Sequence, residues 1–240
     1  KIARSAGFSF PNRMECLYIP ELSASSLHLT VTDDEYRHGR ALRLREGSTI
    51  MVSNGAGLCA ETVVREFHAR QMILETLTFL PAYNEAGRDF HLCIGNLDSK
   101  ERMEFVVEKA VELGARSITI AITHYSSQRV HQAARLRAKA IAAMKQCRRS
   151  VLPTITVSES LKQAVQSIGA STHILCDVAG TRPGSVFTDT CLCVGPEGGF
   201  HEDETGFLVS LEDVKTWKLA TSRLRAETAA VAILSHAAAG

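Results

Sequence analysis

The sequence has no long apolar run and no pair of cysteines at metal-binding spacing. No stretch approaches 18 consecutive apolar residues, which argues against a membrane-spanning helix. The first residues lack the apolar segment of a secretory signal. The scattered, odd-numbered cysteines form no C-x-x-C pair, which argues against a disulfide framework or a structural zinc site: Cys16, Cys59, Cys93, Cys147, Cys176, Cys191 and Cys193. These absences predict a metal-free protein of the reducing cytoplasm.

Carboxylates are absent between Glu112 and Glu159, although the whole chain has a net charge of only +1. This interval carries a local charge of +8, from Arg116, Arg129, Arg135, Arg137, Lys139, Lys145, Arg148 and Arg149. A second basic stretch comprises Arg37, His38, Arg40, Arg43 and Arg45. Two such stretches predict a polyanionic partner. The alternative is a solvated helix face whose acidic partners lie elsewhere in the fold.

The chain of 240 residues, 45% hydrophobic and 22% charged, has the composition of a globular protein with room for two modest domains. Residues 1–13 show no period and are interpreted as an extension or an expression-vector remnant. Residues 14–80 are β-like and predict a small barrel, and residues 81–88 form the linker candidate. The clearest strands are 49–53, 59–67 and 71–79, the first two separated by glycines at 55 and 57.

Residues 89–240 alternate between strand and helix, which predicts a parallel α/β sheet covered on both faces. The expected strands are 90–95, 118–122, 173–178, 191–195 and 214–219. The expected helices begin at a cap on Asp98, near Ala133, near Glu202 and near Arg225. The fold class is therefore α/β, a small β-barrel followed by an α/β domain.

The most distinctive local sequence is Val194-Gly-Pro-Glu-Gly-Gly-Phe200, directly after a buried strand. It matches neither the phosphate-loop nor the dinucleotide fingerprint. Glycines at the carboxyl end of a parallel strand let backbone approach a ligand closely, and a tight structural turn is the alternative. Glu197 within the turn is placed to accept hydrogen bonds or a cation.

The segment Leu219 to Ala229 runs from the last strand into the last helix. Glu227 suits the first turn of that helix, where the dipole favours negative charge. Arg225 opposes the dipole, which predicts that it serves a ligand or partner. The alternative is an ion pair of Arg225 with Glu197 or Glu227.

Five sequence stretches in order resemble the RsmE family of ribosomal RNA uridine-N3 methyltransferases, in the knotted SPOUT superfamily. In the second domain they are Glu101-Arg-Met-Glu-Phe with Glu108-Lys-Ala-Val-Glu-Leu-Gly114, Gln146-Cys-Arg-Arg-Ser-Val-Leu-Pro153, Val194-Gly-Pro-Glu-Gly-Gly-Phe200 and Leu224-Arg-Ala-Glu-Thr-Ala229. In the first, His38-Gly-Arg-Ala-Leu-Arg-Leu-Arg-Glu-Gly47 resembles that family's PUA-like RNA-binding barrel. The resemblance runs from about Met14 to the C-terminus.

The resemblance implies a C-terminal trefoil knot that binds S-adenosylmethionine through the backbone of three loops, and a homodimer whose second subunit completes each site. The implied cofactor contacts are Cys176, Gly195, Pro196, Glu197, Gly198, Gly199, Leu219, Ala220, Leu224 and Thr228. The implied substrate is uridine N3 in small-subunit (16S) ribosomal RNA, as naked RNA or within the subunit, and neither DNA nor a membrane is expected. Arg225 is expected to stabilise the uracil anion. The residues expected to bind RNA are His38, Arg40, Arg43, Arg135, Arg137, Lys139, Arg148 and Arg149.

The chain departs from the family pattern at four positions. The family usually has glycine where Ala220 stands and arginine where Ser222 stands, and it often has arginine at Cys16 and glutamate at Lys145. Two alternatives stay open: a catalytically weakened RNA-binding protein, which the departures at Ala220 and Ser222 favour, and an α/β protein that binds another adenosine ligand, if the five-motif resemblance is accidental.

Overall fold

The structure, a computed structural model, describes residues 14–127 and 131–239. The expectation for residues 1–13 and the side chain of Arg129 lie outside the described residues. The chain divides into two compact units, at Tyr83–Asn84. The second unit begins at Asn84, inside the segment predicted as a linker, but residues 148–150 belong to the first unit. Among the described residues, no helix has the length and apolar character needed to cross a membrane.

The first unit is a five-stranded mixed sheet with one helix. Its strands pair in the order β1-β3-β4-β5-β2, with β1 parallel to β3 and the other neighbours antiparallel. The elements are β1 (Cys16–Tyr18), β2 (His28–Val31), α1 (Asp33–Ala41), β3 (Thr49–Ser53), β4 (Leu58–Phe67) and β5 (Met72–Pro81). The three predicted strands correspond to β3, β4 and β5. Gly55 and Gly57, between β3 and β4, have positive φ angles of 68° and 103°, as the predicted hairpin turn requires.

The helix α1 was not predicted, because a β-like pattern was assigned to this whole region. Asp33, Asp34 and Glu35 occupy its first turn and His38 and Arg40 its last, so the charges complement the helix dipole. The helix has few apolar residues, and Tyr36 is its main core contact, with a hydroxyl that donates to the His68 carbonyl at 2.6 Å. The charges at its two ends are therefore the sequence signal that could have identified this helix.

Residues 148–150 join the first unit through backbone groups. The Gly57 N–H donates to the Ser150 carbonyl at 2.8 Å, and the Ser150 N–H donates to the Tyr83 carbonyl at 3.1 Å. The Ser53 hydroxyl donates to the Arg149 carbonyl at 3.0 Å. The first unit is thus completed by a segment that lies far from it in the sequence.

The second unit is a six-stranded sheet in the order β11-β9-β10-β6-β7-β8, and every neighbouring pair is parallel. Its strands are β6 (Phe90–Gly95), β7 (Ser117–Ala121), β8 (Thr154–Ser158), β9 (Thr172–Thr181), β10 (Thr190–Val194) and β11 (Val214–Trp217). Its helices are α2 (Lys100–Glu112), α3 (Ala133–Cys147), α4 (Leu161–Ile168), α5 (Glu202–Val209) and α6 (Ala226–Ala239). The predicted parallel α/β architecture is confirmed.

Burial explains how the helices cover this sheet. Apolar residues of α2 are buried, among them Met103, Val106 and Ala110, and Gly114 follows the end of the helix with φ +96°. The cap of α2 is Ser99 rather than the predicted Asp98, since its hydroxyl accepts from the Arg102 N–H at 3.2 Å. Helices α4 and α5 pack on the sheet face that carries three buried cysteines, Cys93, Cys191 and Cys193.

Candidate functional site

The sheet opens into a cleft at the carboxyl ends of three strands that are neighbours in space, β9, β10 and β11. Its volume is about 510 Å³. The lining residues come from three segments, at 176–178, 194–200 and 217–226, with Ala229 added from α6. The carboxyl ends of parallel strands are the usual ligand site of an α/β sheet, because the connecting loops leave a crevice there.

Nine of the ten predicted cofactor contacts line this cleft: Cys176, Gly195, Pro196, Glu197, Gly198, Gly199, Leu219, Ala220 and Leu224. The tenth, Thr228, is exposed on α6 and is not among the lining residues. The cleft therefore brings together segments that are almost fifty residues apart in the sequence. Thr228 lies on a different face of the helix from Ala229, which does line the cleft.

Each glycine of the turn after β10 stands where a side chain would clash or strain the backbone. A Cβ atom on Gly195 would lie 2.9 Å from the backbone of Gly199, and Gly199 itself has φ +80°. The Gly199 N–H donates to the Pro196 carbonyl at 2.9 Å, which closes the turn. A Cβ on Gly198 would lie 2.7 Å from the Cβ of Tyr125. The turn is consequently tight for structural reasons as well as being part of the cleft.

Glu197 anchors the turn from which it projects. Its Oε1 lies 3.6 Å from Nη1 of Arg102 and 3.4 Å from the backbone nitrogen of Asp98, which donates to it. Its carbonyl accepts from Nη2 of Arg223 at 3.2 Å. The cation that the sequence predicted for this carboxylate is thus Arg102, at the start of α2.

Arg102 also reaches Glu227, the acidic residue in the first turn of α6. Its Nε lies 3.6 Å from Oε1 of Glu227, whose side chain is only 13% exposed. The second oxygen, Oε2, is buried and has no hydrogen-bond partner among the described residues. Arg102 therefore connects the two motif glutamates, a role that sequence reasoning missed although the residue lies within the first quoted motif.

Arg225 is the last residue before α6, and its exposed side chain lines the cleft. Among the described residues, it forms an ion pair with neither Glu197 nor Glu227, because Arg102 occupies that position. The structure therefore does not support the alternative in which Arg225 is an ion-pair partner of those glutamates. Its guanidinium is available to a ligand.

Cys176 contributes a neutral thiol to the cleft. Burial, together with the nearby charge of Asp177, raises its pKa to about 12. A thiol with this pKa is protonated at neutral pH, so it is a poor nucleophile. Cys176 therefore lines the cleft as a small apolar side chain.

A family model described as an RNA methyltransferase domain matches residues 84–238, more than half of the chain. The chain belongs to the RNA methyltransferase domain family. It is 27% identical over 241 residues to Ribosomal RNA small subunit methyltransferase E of Mycobacterium tuberculosis, covering 90% of this chain and 88% of the relative. The enzyme of the same name from Rickettsia conorii is 30% identical over 144 residues, 57% of this chain and 59% of the relative. These matches confirm the family resemblance drawn from the motifs.

Solved structures share the fold of this RNA methyltransferase family member. Ribosomal RNA small subunit methyltransferase E from Neisseria gonorrhoeae, bound to S-adenosyl methionine, has a TM-score of 0.80 at 24% identity, covering 92% of this chain and 95% of that one. A probable rRNA-methyltransferase from Porphyromonas gingivalis has a TM-score of 0.78 at 26% identity, covering 92% and 95%. Both similarities extend over nearly the whole chain.

Some of the predicted RNA-binding cations of this methyltransferase form ion pairs with carboxylates of the protein. In the second unit, Arg135 pairs with Glu104, and Lys139 lies 3.4 Å from Glu108. The hydrogen bond from Arg135 lowers the pKa of Glu104. The acidic partners of this basic helix α3 are therefore the carboxylates of α2, which is the alternative that the sequence left open.

Of the remaining cations, Arg40 and Arg43 are exposed and His38 is half-buried, on α1 or just after it. Arg137 is exposed and Arg148 partly exposed. Arg149 is only 2% exposed, so its side chain is not displayed to an RNA surface in this structure. The exposed cations of the first unit are the stronger candidates for phosphate contacts.

Proposed function

We propose that this chain is an S-adenosylmethionine-dependent methyltransferase that acts on N3 of a uridine in small-subunit ribosomal RNA. The observation that carries the proposal is the cleft at the ends of β9, β10 and β11, which gathers nine of the ten expected cofactor contacts. The names of the relatives support the RNA substrate, and the S-adenosyl methionine bound to the Neisseria enzyme supports the cofactor. Because ribosomal RNA is the proposed substrate, the proposed place of action is the cytoplasm.

The lining of the cleft fits a nucleoside cofactor with a charged tail. A volume of about 510 Å³ lies within the range of roughly 300–1,000 Å³ found for small-molecule sites. Apolar side chains such as Trp217, Leu219 and Leu224 suit the adenosine part. Gly195, Gly198 and Gly199 have no side chains, which suits contact between the backbone of this turn and a polar ligand.

The proposed reaction depends mainly on how the protein positions the two substrates and stabilises negative charge on the uracil. S-adenosylmethionine supplies an activated methyl group when bound, so the reaction needs no nucleophilic side chain, in keeping with the neutral thiol of Cys176. Uridine N3 carries a proton and lies on the Watson–Crick edge, so the base must be unpaired to react. Arg225, without a carboxylate partner among the described residues, would stabilise the negative charge that develops on the uracil as N3 is deprotonated.

We extend the proposal to the architecture. The first unit would be a PUA-like RNA-binding barrel, which its five-stranded mixed sheet and exposed cations support. The chain from β9 to α6 would form a trefoil knot, which the order β11-β9-β10 supports because the order of these neighbouring strands in the sheet differs from their order along the chain. The active form would be a homodimer in which the partner subunit completes the site.

The test combines calorimetry with methylation. Small ribosomal subunits from a strain that lacks the corresponding gene should accept a methyl group from S-adenosylmethionine, and mass spectrometry of nucleosides should identify 3-methyluridine. S-adenosylmethionine should bind in calorimetry. No binding of the cofactor would refute the proposal.

A second candidate is a catalytically weakened RNA-binding protein. The observation that favours it is that Ala220 and Ser222, two of the departures from the family pattern, both line the cleft. Cofactor binding without methyl transfer to subunits would support this candidate instead.

A further inference from the structure

Three aromatic rings cluster beside the turn that lines the cleft. The imidazoles of His124 and His201 stack with centroids 4.3 Å apart and planes 30° from parallel. The ring of Tyr125 meets His124 nearly edge-on, at 4.7 Å and 87°, and lies 5.8 Å from His201. Tyr125 nevertheless remains 51% exposed. A large aromatic side chain is thus held by two neighbours while half of it faces solvent.

The carboxylate of Glu204 holds the cluster in place by accepting hydrogen bonds from the backbone of both histidines. Oε1 of Glu204 accepts from the His124 N–H at 2.9 Å, and Oε2 accepts from the His201 N–H at 2.9 Å. His201 is also the cap of α5, since its Nδ1 accepts from the Asp203 N–H at 3.3 Å. The rings therefore project from two segments that are tied to each other, so little conformational entropy remains to be lost when a ligand packs on them.

The cluster adjoins the cofactor cleft through Gly198. Tyr125 packs so closely on this glycine that a Cβ atom there would lie 2.7 Å from the Cβ of Tyr125. Gly198 belongs to the lining of the cleft, whereas Tyr125 does not. Tyr125 therefore lies immediately outside the wall of the cleft.

The proposed substrate would present unpaired nucleobases next to the target uridine. A uridine that enters the cleft must leave its helix or stack, and the nucleobases beside it lose a neighbour. Proteins bind such unpaired bases on exposed aromatic rings, and cations close by hold the phosphates. Arg223 and Arg225 are exposed cations that line the adjacent cleft.

We propose that Tyr125, supported by His124 and His201, stacks against an unpaired nucleobase next to the target uridine. This inference rests on the proposed function. It adds to the same site an RNA contact from a residue, Tyr125, that lies outside the cofactor-binding motifs. The aromatic face supplies affinity for the base without reading its hydrogen-bonding edge.

The experiment measures the affinity of small ribosomal subunits for the wild-type chain and for Tyr125→Ala and Tyr125→Phe by filter binding, which needs no catalysis. Tyr125→Ala should weaken binding about tenfold, the scale for loss of one base–aromatic stack. Tyr125→Phe should bind like the wild type, because it keeps the ring. The loss should be equal at low and high salt, since stacking releases no counterions.

The control is Phe105→Ala, which removes another exposed aromatic side chain of the same unit, 43% exposed on α2, and should leave subunit affinity unchanged. Cofactor affinity and the urea midpoint of Tyr125→Ala should also match the wild type. Wild-type affinity in Tyr125→Ala, an equal loss in the phenylalanine variant, or a wild-type chain that does not bind subunits would overturn the inference. A change of oligomeric state in Tyr125→Ala with unchanged RNA affinity would do so too, and would assign the rings to a second copy of the chain. Failure of the proposed function is separate, because it appears as a wild-type chain that does not bind S-adenosylmethionine.

Discussion

Arg225 combines exposure in the cleft with the lack of a carboxylate partner among the described residues. If it stabilises charge on the uracil, its effect belongs to the transition state. Arg225→Ala should lower turnover by a factor on the order of a hundred or more, with little change in S-adenosylmethionine affinity. Lysine should rescue only in part, since it lacks the planar fork of the guanidinium. The measurements are single-turnover methylation and calorimetry.

Arg182→Ala, which removes an exposed arginine outside the cleft, is the matched control and should leave turnover unchanged. Loss of folding or of dimers in Arg225→Ala, with normal turnover in the remaining enzyme, would show that Arg225 is structural.

Arg102 is the one cation within 4.0 Å of the carboxylate of either motif glutamate among the described residues. Removing it leaves the buried carboxylate of Glu227 uncompensated, and partial exposure of the guanidinium limits the cost. Arg102→Ala should lower the free energy of unfolding by about 1–2 kcal/mol, measured by urea denaturation. It should also weaken cofactor binding, because Glu197 loses its anchor.

The double variant Arg102→Ala with Glu227→Gln provides the control, because it removes the charge that Arg102 compensates. It should recover part of the lost stability. A double variant whose loss equals the sum of the two single losses would show that the two side chains are not coupled.

Gly198 is confined by Tyr125 rather than by its own backbone angle. Gly198→Ala should displace the turn, because the new Cβ would lie 2.7 Å from the Cβ of Tyr125, and cofactor affinity should fall severalfold in calorimetry. Adding Tyr125→Gly, which removes the clashing atom, should restore affinity in part. The matched control is Gly206→Ala on α5, where a Cβ meets nothing within 4 Å, and it should be neutral or stabilising. Equal effects of the two alanines would rule out the steric explanation.

At the scale of the elements, the two basic stretches differ in how many of their cations are available to bind RNA phosphates. Arg135 and Lys139 on α3 are paired with carboxylates of α2, whereas Arg40 and Arg43 are exposed. Arg40→Gln with Arg43→Gln should flatten the dependence of RNA affinity on salt, by about 0.7–0.9 log units per lost phosphate contact. Arg135→Gln with Lys139→Gln should change that slope less. The reverse order would restore α3 as the main RNA-binding element.

Two histidines at the amino ends of β6 and β9 give the sheet a pH-dependent stability. Burial lowers the pKa of His91 and of His173 below 6.5, so the unfolded chain binds protons more readily than the folded one. Their contribution is present above pH 6.5 and declines as the pH falls through that value toward the folded pKa. The urea midpoint should drop between pH 7.5 and pH 5.5, and His91→Asn with His173→Asn should reduce that drop. An unchanged drop would assign it to carboxylates.

Elements with strong apolar periodicity were predictable from the sequence, and short exposed ones were not. The strand β6 and the buried face of α2 follow directly from their patterns. The strand β8 was missed because it lies at the sheet edge, with one of its five residues buried. Helix α4 was also missed, although Ser160 and Gly169 cap its two ends and Leu161, Ala164 and Val165 are buried. In the site, the glycine turn was predictable, but Arg102 and Tyr125 were not, because their importance comes from neighbours distant in sequence.

At the scale of the whole molecule, one short segment belongs to the first unit although it lies within the sequence of the second. Residues 148–150 follow α3 of the second unit, but their backbone groups form hydrogen bonds with the Ser53 hydroxyl and with the backbone of Gly57 and Tyr83 in the first. A division of the sequence by composition cannot find such a segment, because three residues carry no pattern of their own. The two units are therefore not separable by a single cut of the chain.

Because residues 148–150 belong to the first unit, they affect the order in which the two units can fold during synthesis. Domains generally fold as they leave the ribosome, the N-terminal one first. Here the first unit lacks its last hydrogen-bonding partners until Ser150 has emerged, when β6, α2, β7 and α3 have already been synthesised. A nascent chain stalled with residues 1–120 outside the ribosome should thus be cut by protease in its first unit more readily than one with residues 1–160 outside. The first unit, whose continuous stretch ends at Tyr83, is therefore complete only when the chain has been extended by a further sixty-seven residues, to Ser150.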